Sequence, residues 1–306
     1  MAPETSPSQS ATRWTSRSIA SRFQHGFFYA LIRLAGRWPA YAFLHLVTAW
    51  YTLLRPSIRR RTYHYLRRRF PEARGAALLL HSYRLATAFG KSLVDRAVVG
   101  ILGPERLAID FPQAATLQGL LDEGKGVVLM TAHVGGWQAA MPGVDFLQAP
   151  VNMLLQRAQD DVDRHWYEHA GRERPFRTID PAGYLGGSLE MLAALKRGEL
   201  LCVMGDRVLG SERNVLPVPF LGGEALFPVS AYRIAAAADA PIAALFARKT
   251  GPARYELLLP AVIRVPDGLG RAPEAYRPYV AAFVAALEAF AQDNPYQFYN
   301  FHDMWM

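Results

Sequence analysis

Residues 126–140 read GVVLMTAHVGGWQAA, an apolar run that stops at His133 and is followed by Gly135, Gly136, Trp137 and Gln138. A histidine so placed can act as a general base, taking a proton from an attacking hydroxyl or amine. The run GVVLMT has the character of a strand buried on both faces, and in layered α/β folds sites form just beyond the carboxyl ends of such strands. Two glycines let the chain turn tightly and start a helix, whose first N–H groups can hold a developing negative charge. An acyl-transfer base would want that geometry. Taken alone, the spacing fits a buried, hydrogen-bonded histidine at a strand end better still.

Three other stretches carry chemistry-bearing residue types. HWYEH, from His165 to His169, matches the inverted zinc-protease pattern and would put both histidines on one helix face at i and i+4. No helix with a third acidic ligand follows, so a solvated helix face is the simpler account and no metal site is expected. Ser188 lies in GYLGGSLE, which is not Gly-x-Ser-x-Gly in frame and lacks the strand-turn-helix setting of a nucleophile elbow. His302 and Asp303 sit in the terminal cluster FYNFHDMWM, read as packing that closes the domain. Walker and dinucleotide fingerprints are absent from the sequence.

The elements that must position these residues follow from composition and pattern. A chain of 306 residues that is 51% hydrophobic can bury a full core. One cysteine, Cys202, rules out an internal disulfide framework and points to a reducing compartment. Residues 1–80 hold thirteen arginines, no lysine and two acids, a net +11, whereas the remaining 226 residues sum to −3. The first twenty residues, polar and rich in Pro and Ser, read as a disordered tail and not as a signal peptide. Residues 21–80 interleave aromatic and aliphatic side chains with arginine. Their longest apolar stretch, 40–54, is too short for the roughly twenty residues of a spanning helix. Interfacial helices on an anionic membrane surface fit this segment, with an ordinary buried helix pair as the alternative. Nucleic-acid binding is not expected, since the aromatics share faces with Leu, Ile and Val instead of standing exposed for base stacking.

Beyond residue 100, buried strands are predicted at 126–131, 151–156, 200–206, 241–247 and 255–265. Helices are predicted at 112–123, 160–170, 184–198, 228–239 and 274–291. Their alternation implies an α/β fold with a mixed, mainly parallel sheet flanked by helices, preceded by an N-terminal helical membrane-associating segment. The expected organisation is a tail at 1–20, basic aromatic membrane-surface helices at 21–80 and a catalytic α/β domain at 81–306.

LMTAHVGGWQAA resembles the His-x4-Asp/Glu motif of the lysophospholipid acyltransferase superfamily, in the form used by the lipid A biosynthesis (lauroyl/myristoyl) acyltransferases and a predicted-acyltransferase branch of them. MGDRVLGSERNVLPVPFLGGEALFPVSAYRIAAAADAPIAALFARK, 204–249, is similar to that family's second block, and PYQFYNFHDMW, 295–305, to its NFYDFW terminus. The resemblance implies transfer of a fatty acyl chain from an acyl-carrier protein or coenzyme A thioester, a co-substrate and not a resident cofactor, to a hydroxyl or amine of a membrane lipid. It further implies His133 as general base and a pocket that includes Gly135, Gly136, Trp137, Asp206 and Arg207, Arg207 binding a phosphate or positioning the thioester. The implied location is the cytoplasmic face of the inner membrane.

One position departs from the family pattern. Gln138 stands where the family has Asp or Glu; it can accept a hydrogen bond from His133 Nδ1–H but brings no charge to stabilise the imidazolium. Three outcomes follow: a slower acyltransferase with Gln138 as orienting partner, an enzyme that recruits another carboxylate such as Asp145 or Asp206, or a non-catalytic module that binds lipid or carrier protein on the same fold.

Overall fold

In the computed structural model of the chain, residues 22–155, 168, 176–208 and 214–306 are described. The expected tail and the HWYEH histidines lie outside them.

The chain begins with helices α1 (Arg22–Ala35), α2 (Arg37–Leu54), α3 (Pro56–Arg69) and α4 (Gly75–Leu102). Gly36 at φ 77 ends α1, and Pro56 opens α3 where its missing N–H costs nothing. Alternating elements follow: β1 (Ala108–Asp110), α5 (Ala114–Asp122), β2 (Val127–Thr131), α6 (Trp137–Ala140), β3 (Val151–Leu154), β4 (Arg177–Ile179), α7 (Ser188–Lys196) and β5 (Leu200–Met204). Then come β6 (Val215–Phe220), β7 (Gly223–Pro228), α8 (Ser230–Ala238), β8 (Ile242–Gly251), β9 (Arg254–Ile263) and α9 (Arg277–Asp293).

Seven strands form one sheet in the order β1-β9-β8-β2-β5-β3-β4, and every neighbouring pair is parallel except β8 with β9. The mixed, mainly parallel sheet flanked by helices is therefore the one expected. Val127, Val128 and Met130 of β2 are wholly buried, as are Leu200 and Leu201 of β5, because both faces of the sheet centre are covered. The sequence-based strands match β2, β3, β5, β8 and β9, with β3, β5 and β9 each ending two residues early and β8 running four residues further. Strands β1 and β4 were not foreseen: each has three residues at an edge and no apolar run. Strands β6 and β7 were not foreseen either; they carry Pro217, Pro219 and Pro228 and pair with each other in an antiparallel hairpin that can spare those N–H groups.

The N-terminal helices bury one face and expose another. Ile32, Tyr41 and Leu44 pack against Val94 and Val98 of α4, whereas Phe23, Leu34, Trp38, Leu46, Trp50, Leu53 and Leu54 point outward. No helix among the described residues is long and apolar enough to cross a membrane. The 80/81 boundary falls inside α4, and Tyr65, Leu66 and Leu78 belong to the main core. Tyr65 is fully buried, and its hydroxyl donates to the Pro295 carbonyl at 2.8 Å. Tyr65→Ala should therefore cost about 3–5 kcal/mol in denaturant unfolding, whereas Phe23→Ala, at a residue 82% exposed, should stay within about 0.5 kcal/mol.

Candidate active site

Strand register creates the site. Strands β2 and β5 run parallel with Thr131 opposite Met204, and the ladder continues one step as Gly205 N–H donates to the Thr131 carbonyl at 2.8 Å. Two residues past each strand stand His133 and Asp206, at the same height on adjacent chains. His133 Nδ1 lies 2.9 Å and 3.0 Å from the two Asp206 carboxylate oxygens, and the His133 backbone N–H donates to Oδ2 at 3.1 Å. The histidine side chain is 25% exposed and the aspartate 2%.

Charges in this corner set both protonation states. Burial alone would raise the Asp206 pKa, but His133 and then Arg207 outweigh it and hold the carboxyl at about 2. An ionised Asp206 accepts Nδ1–H, which puts the basic lone pair of His133 on Nε2. Burial, then the Arg207 guanidinium, lower the His133 pKa below the ordinary histidine value, against the opposing pull of Asp206. The imidazole is thus neutral near pH 7, as a base must be.

Gln138 is engaged elsewhere. Its Oε1 accepts a hydrogen bond from Arg96 Nη1 of α4 at 2.7 Å, and Arg96 is itself buried. The carboxylate at the imidazole is the one 73 residues downstream. Asp206 was expected near the pocket and also as a possible substitute carboxylate; Asp145, the other substitute considered, has no described side chain.

The two glycines answer to packing. A Cβ on Gly135, at φ 53, would lie 1.6 Å from the Ala247 carbonyl oxygen of β8, and one on Gly136 would lie 2.6 Å from the Tyr255 ring. Gly135 N–H donates to the Gln297 carbonyl at 2.7 Å. The helix that follows, α6, is a single turn. The tight turn expected of GG is present, while the Gly135 N–H, a candidate anion donor, is engaged with residues 294–306, the chain's own C-terminal strap.

Trp137 lines an apolar pocket beneath this turn, together with Leu129 and Thr131 of β2, Met153 of β3, Cys202 and Met204 of β5, and Leu257 of β9. Burial pushes the Cys202 thiol up to about 12, so it is an inert wall group. Arg207 is 8% exposed; its Nη2 donates to the Tyr299 carbonyl at 2.9 Å and its Nε stands 3.9 Å from Asp206 Oδ2. Tyr299 N–H in turn donates to the His133 carbonyl at 2.8 Å. The terminal aromatic cluster closes the domain, as expected: Phe298 is fully buried, and Trp305 Nε1–H donates to the Phe220 carbonyl at 2.9 Å. His302, from that cluster, feels the same charges, and burial followed by Arg207 pushes its pKa down to about 4.

Sequence reasoning missed Arg96 and a second buried polar centre. Asp95, fully buried on α4, accepts hydrogen bonds from Tyr41 at 2.5 Å and Tyr255 at 2.6 Å and pairs with Lys249 and with Arg37 at 3.1 Å. Only the pairing of Asp with Arg within one helix, at 95 and 96, hinted that α4 carries more than packing.

A family model described as bacterial lipid A biosynthesis acyltransferase matches residues 80–306, a span that includes the whole sheet, the His133 turn, Asp206 and the C-terminal strap. No curated protein matches the chain significantly. With the match covering far more than half of its length, this chain belongs to the bacterial lipid A biosynthesis acyltransferase family.

Proposed function

We infer that the protein transfers a fatty acyl chain from a thioester donor, acyl-carrier protein or acyl-coenzyme A, to a hydroxyl or amine of a membrane lipid, with His133 as general base. The observation that carries this reading is the His133–Asp206 pair at the carboxyl ends of two adjacent parallel strands. As the acceptor oxygen or nitrogen attacks the thioester carbonyl, its proton passes to His133 Nε2. The C–S bond then breaks, and the departing thiolate takes that proton back from the imidazolium. Asp206 fixes the tautomer and stabilises the transient cation. It supplies the charge that Gln138 lacks, which favours an enzyme over a non-catalytic binding module. The apolar pocket under Trp137 takes the acyl chain.

The outward row of Trp38, Trp50, Leu53 and Leu54 supports seating on a membrane surface, with the arginines of α1–α3 reaching lipid phosphates. Because thioester carriers are soluble and intracellular, the face assigned is the cytoplasmic one of the inner membrane.

The direct test is mass spectrometry of a total lipid extract incubated with the purified protein and acyl-carrier-protein thioesters; absence of any new acylated lipid from the wild type would sink the reading. His133→Ala should abolish transfer while donor binding persists, because a general base acts in the transition state. Asp206→Asn should lower kcat by about 10³–10⁴, the order seen when a triad loses its carboxylate. Gln138→Ala should cost less than about tenfold in kcat and about 1.5–3 kcal/mol in stability through the lost charge-assisted bond from Arg96. A Gln138→Ala protein as inactive as Asp206→Asn would return the orienting role to Gln138.

The acid limb of the kcat/KM profile should fall below the ordinary histidine value of about 6.5, since activity needs neutral His133 and its pKa is lowered. Arg207→Gln removes a cation that disfavours the imidazolium, so the limb should move to higher pH; a limb that stays in place would separate Arg207 from His133 electrostatically.

For the membrane, the triple change Trp38→Ser, Trp50→Ser, Leu53→Ser should weaken liposome co-sedimentation by at least about tenfold, because each exposed group contributes on the order of 1.5–3 kcal/mol when it enters apolar surroundings. High salt should weaken the remainder, which is arginine-driven and screened.

A further inference from the structure

A second cavity, of about 520 Å³, lies between α2, α4, the end of β8 and the C-terminal strap. Its volume is that of a small-molecule site. On α4 it is lined by Arg84, Thr87, Ala88 and Lys91, spaced so that one helix face looks into it. Lys249 contributes from β8, and Tyr41, Tyr296 and Tyr299 supply walls. None of its described lining residues is acidic.

The charges there do not balance. Asp95, beside the cavity, already takes Lys249, Arg37, Tyr41 and Tyr255. Lys91 has no carboxylate within ion-pair reach among the described residues; its ammonium lies 5.4 Å from the centre of the Tyr41 ring. Arg84, exposed at the rim, donates to the Tyr296 hydroxyl at 3.3 Å and has no carboxylate within ion-pair reach among the described residues. Burial and then Lys91 lower the His45 pKa, and burial and then Arg84 lower that of His81, so the neighbouring histidines stay neutral beside these cations. Two cations without a carboxylate among the described residues, around a hollow, make a site for an anion with several acceptor oxygens.

We propose that this cavity binds a phosphate monoester or pyrophosphate group through Lys91 and Arg84. The proposal deepens the acyl-transfer reading, since such a group belongs to the acceptor's headgroup or to the donor's coenzyme moiety. Gln297 and Tyr299 connect the two places: both line the cavity, and their backbones hydrogen-bond to Gly135 and His133. A phosphate anchored there holds its molecule across one strap from the general base, which is how remote binding energy aligns a reacting group.

The test is binding to the full-length protein, so that it does not depend on turnover. Calorimetric probes are inorganic phosphate, pyrophosphate and coenzyme A; vesicles of phosphatidylcholine carry phosphatidic acid or, at matched surface charge, phosphatidylglycerol. Wild type should bind pyrophosphate or coenzyme A, or prefer phosphatidic acid over phosphatidylglycerol, and the probe bound best identifies the source of the phosphate. Lys91→Gln with Arg84→Gln should weaken that binding about tenfold or more, while His133→Ala leaves it intact. Lys91→Arg should retain it. If Lys91→Gln fails to fold, Arg84→Gln alone, at an exposed residue, should still weaken binding severalfold. The proposal is overturned if wild type shows no phosphate preference with any probe, or if a folded double variant binds as wild type does. Binding lost with transfer intact, or the reverse, separates this site from the catalytic reading.

Discussion

Everything at the His133 turn depends on the parallel pairing of β2 with β5. Because Thr131 faces Met204, each strand's continuation delivers one member of the pair, and the Gly205 ladder bond fixes their height. A slip of one residue would turn the side chains of one strand to the opposite face and part the imidazole from its carboxylate. The pair is therefore as rigid as the centre of the sheet, where Val128, Met130 and Leu201 are fully buried. Covering both faces of that centre leaves only the strand ends open, so the chemistry concentrates there.

The rest of the site is built around this fixed pair by close approach. Gly135 lets the turn run against the Ala247 carbonyl, and Gly136 lets it lie on Tyr255. The Tyr255 hydroxyl belongs to the Asp95 centre, which also holds Tyr41 of α2. Arg207 ties Asp206 to Tyr299, and Tyr299 closes back on the His133 carbonyl. The helices that expose aromatic surface, the sheet and the strap thus meet around one turn.

Much of this was legible in the sequence. Strands buried at the sheet centre announce themselves as apolar runs, which is why β2, β5 and β8 were found and why His133 could be placed at a strand end. The role of Asp206 was only half legible: 73 residues separate it from His133, and no local pattern carries the register that joins them. Gln138 drew attention through its spacing from His133, yet spacing does not show that Arg96 of α4 occupies its side-chain oxygen. The 80/81 boundary followed the change in charge, but burial of Tyr65 and Leu66 and the continuous helix α4 obey packing instead.

The long reach of the α2–α4 contacts bears on the order in which the protein can be made. Asp95 waits for Lys249, 154 residues later, and Tyr65 for Pro295, 230 residues later. At the 5–20 residues per second of translation, that interval is roughly ten to fifty seconds. During it the first helices exist without the strands and strap that will cover their inner faces, while their outer faces carry Phe23, Trp38 and Trp50. Both faces of these helices are bare for that interval, so the first hundred residues are the stretch of the nascent chain with the most apolar surface open to premature association.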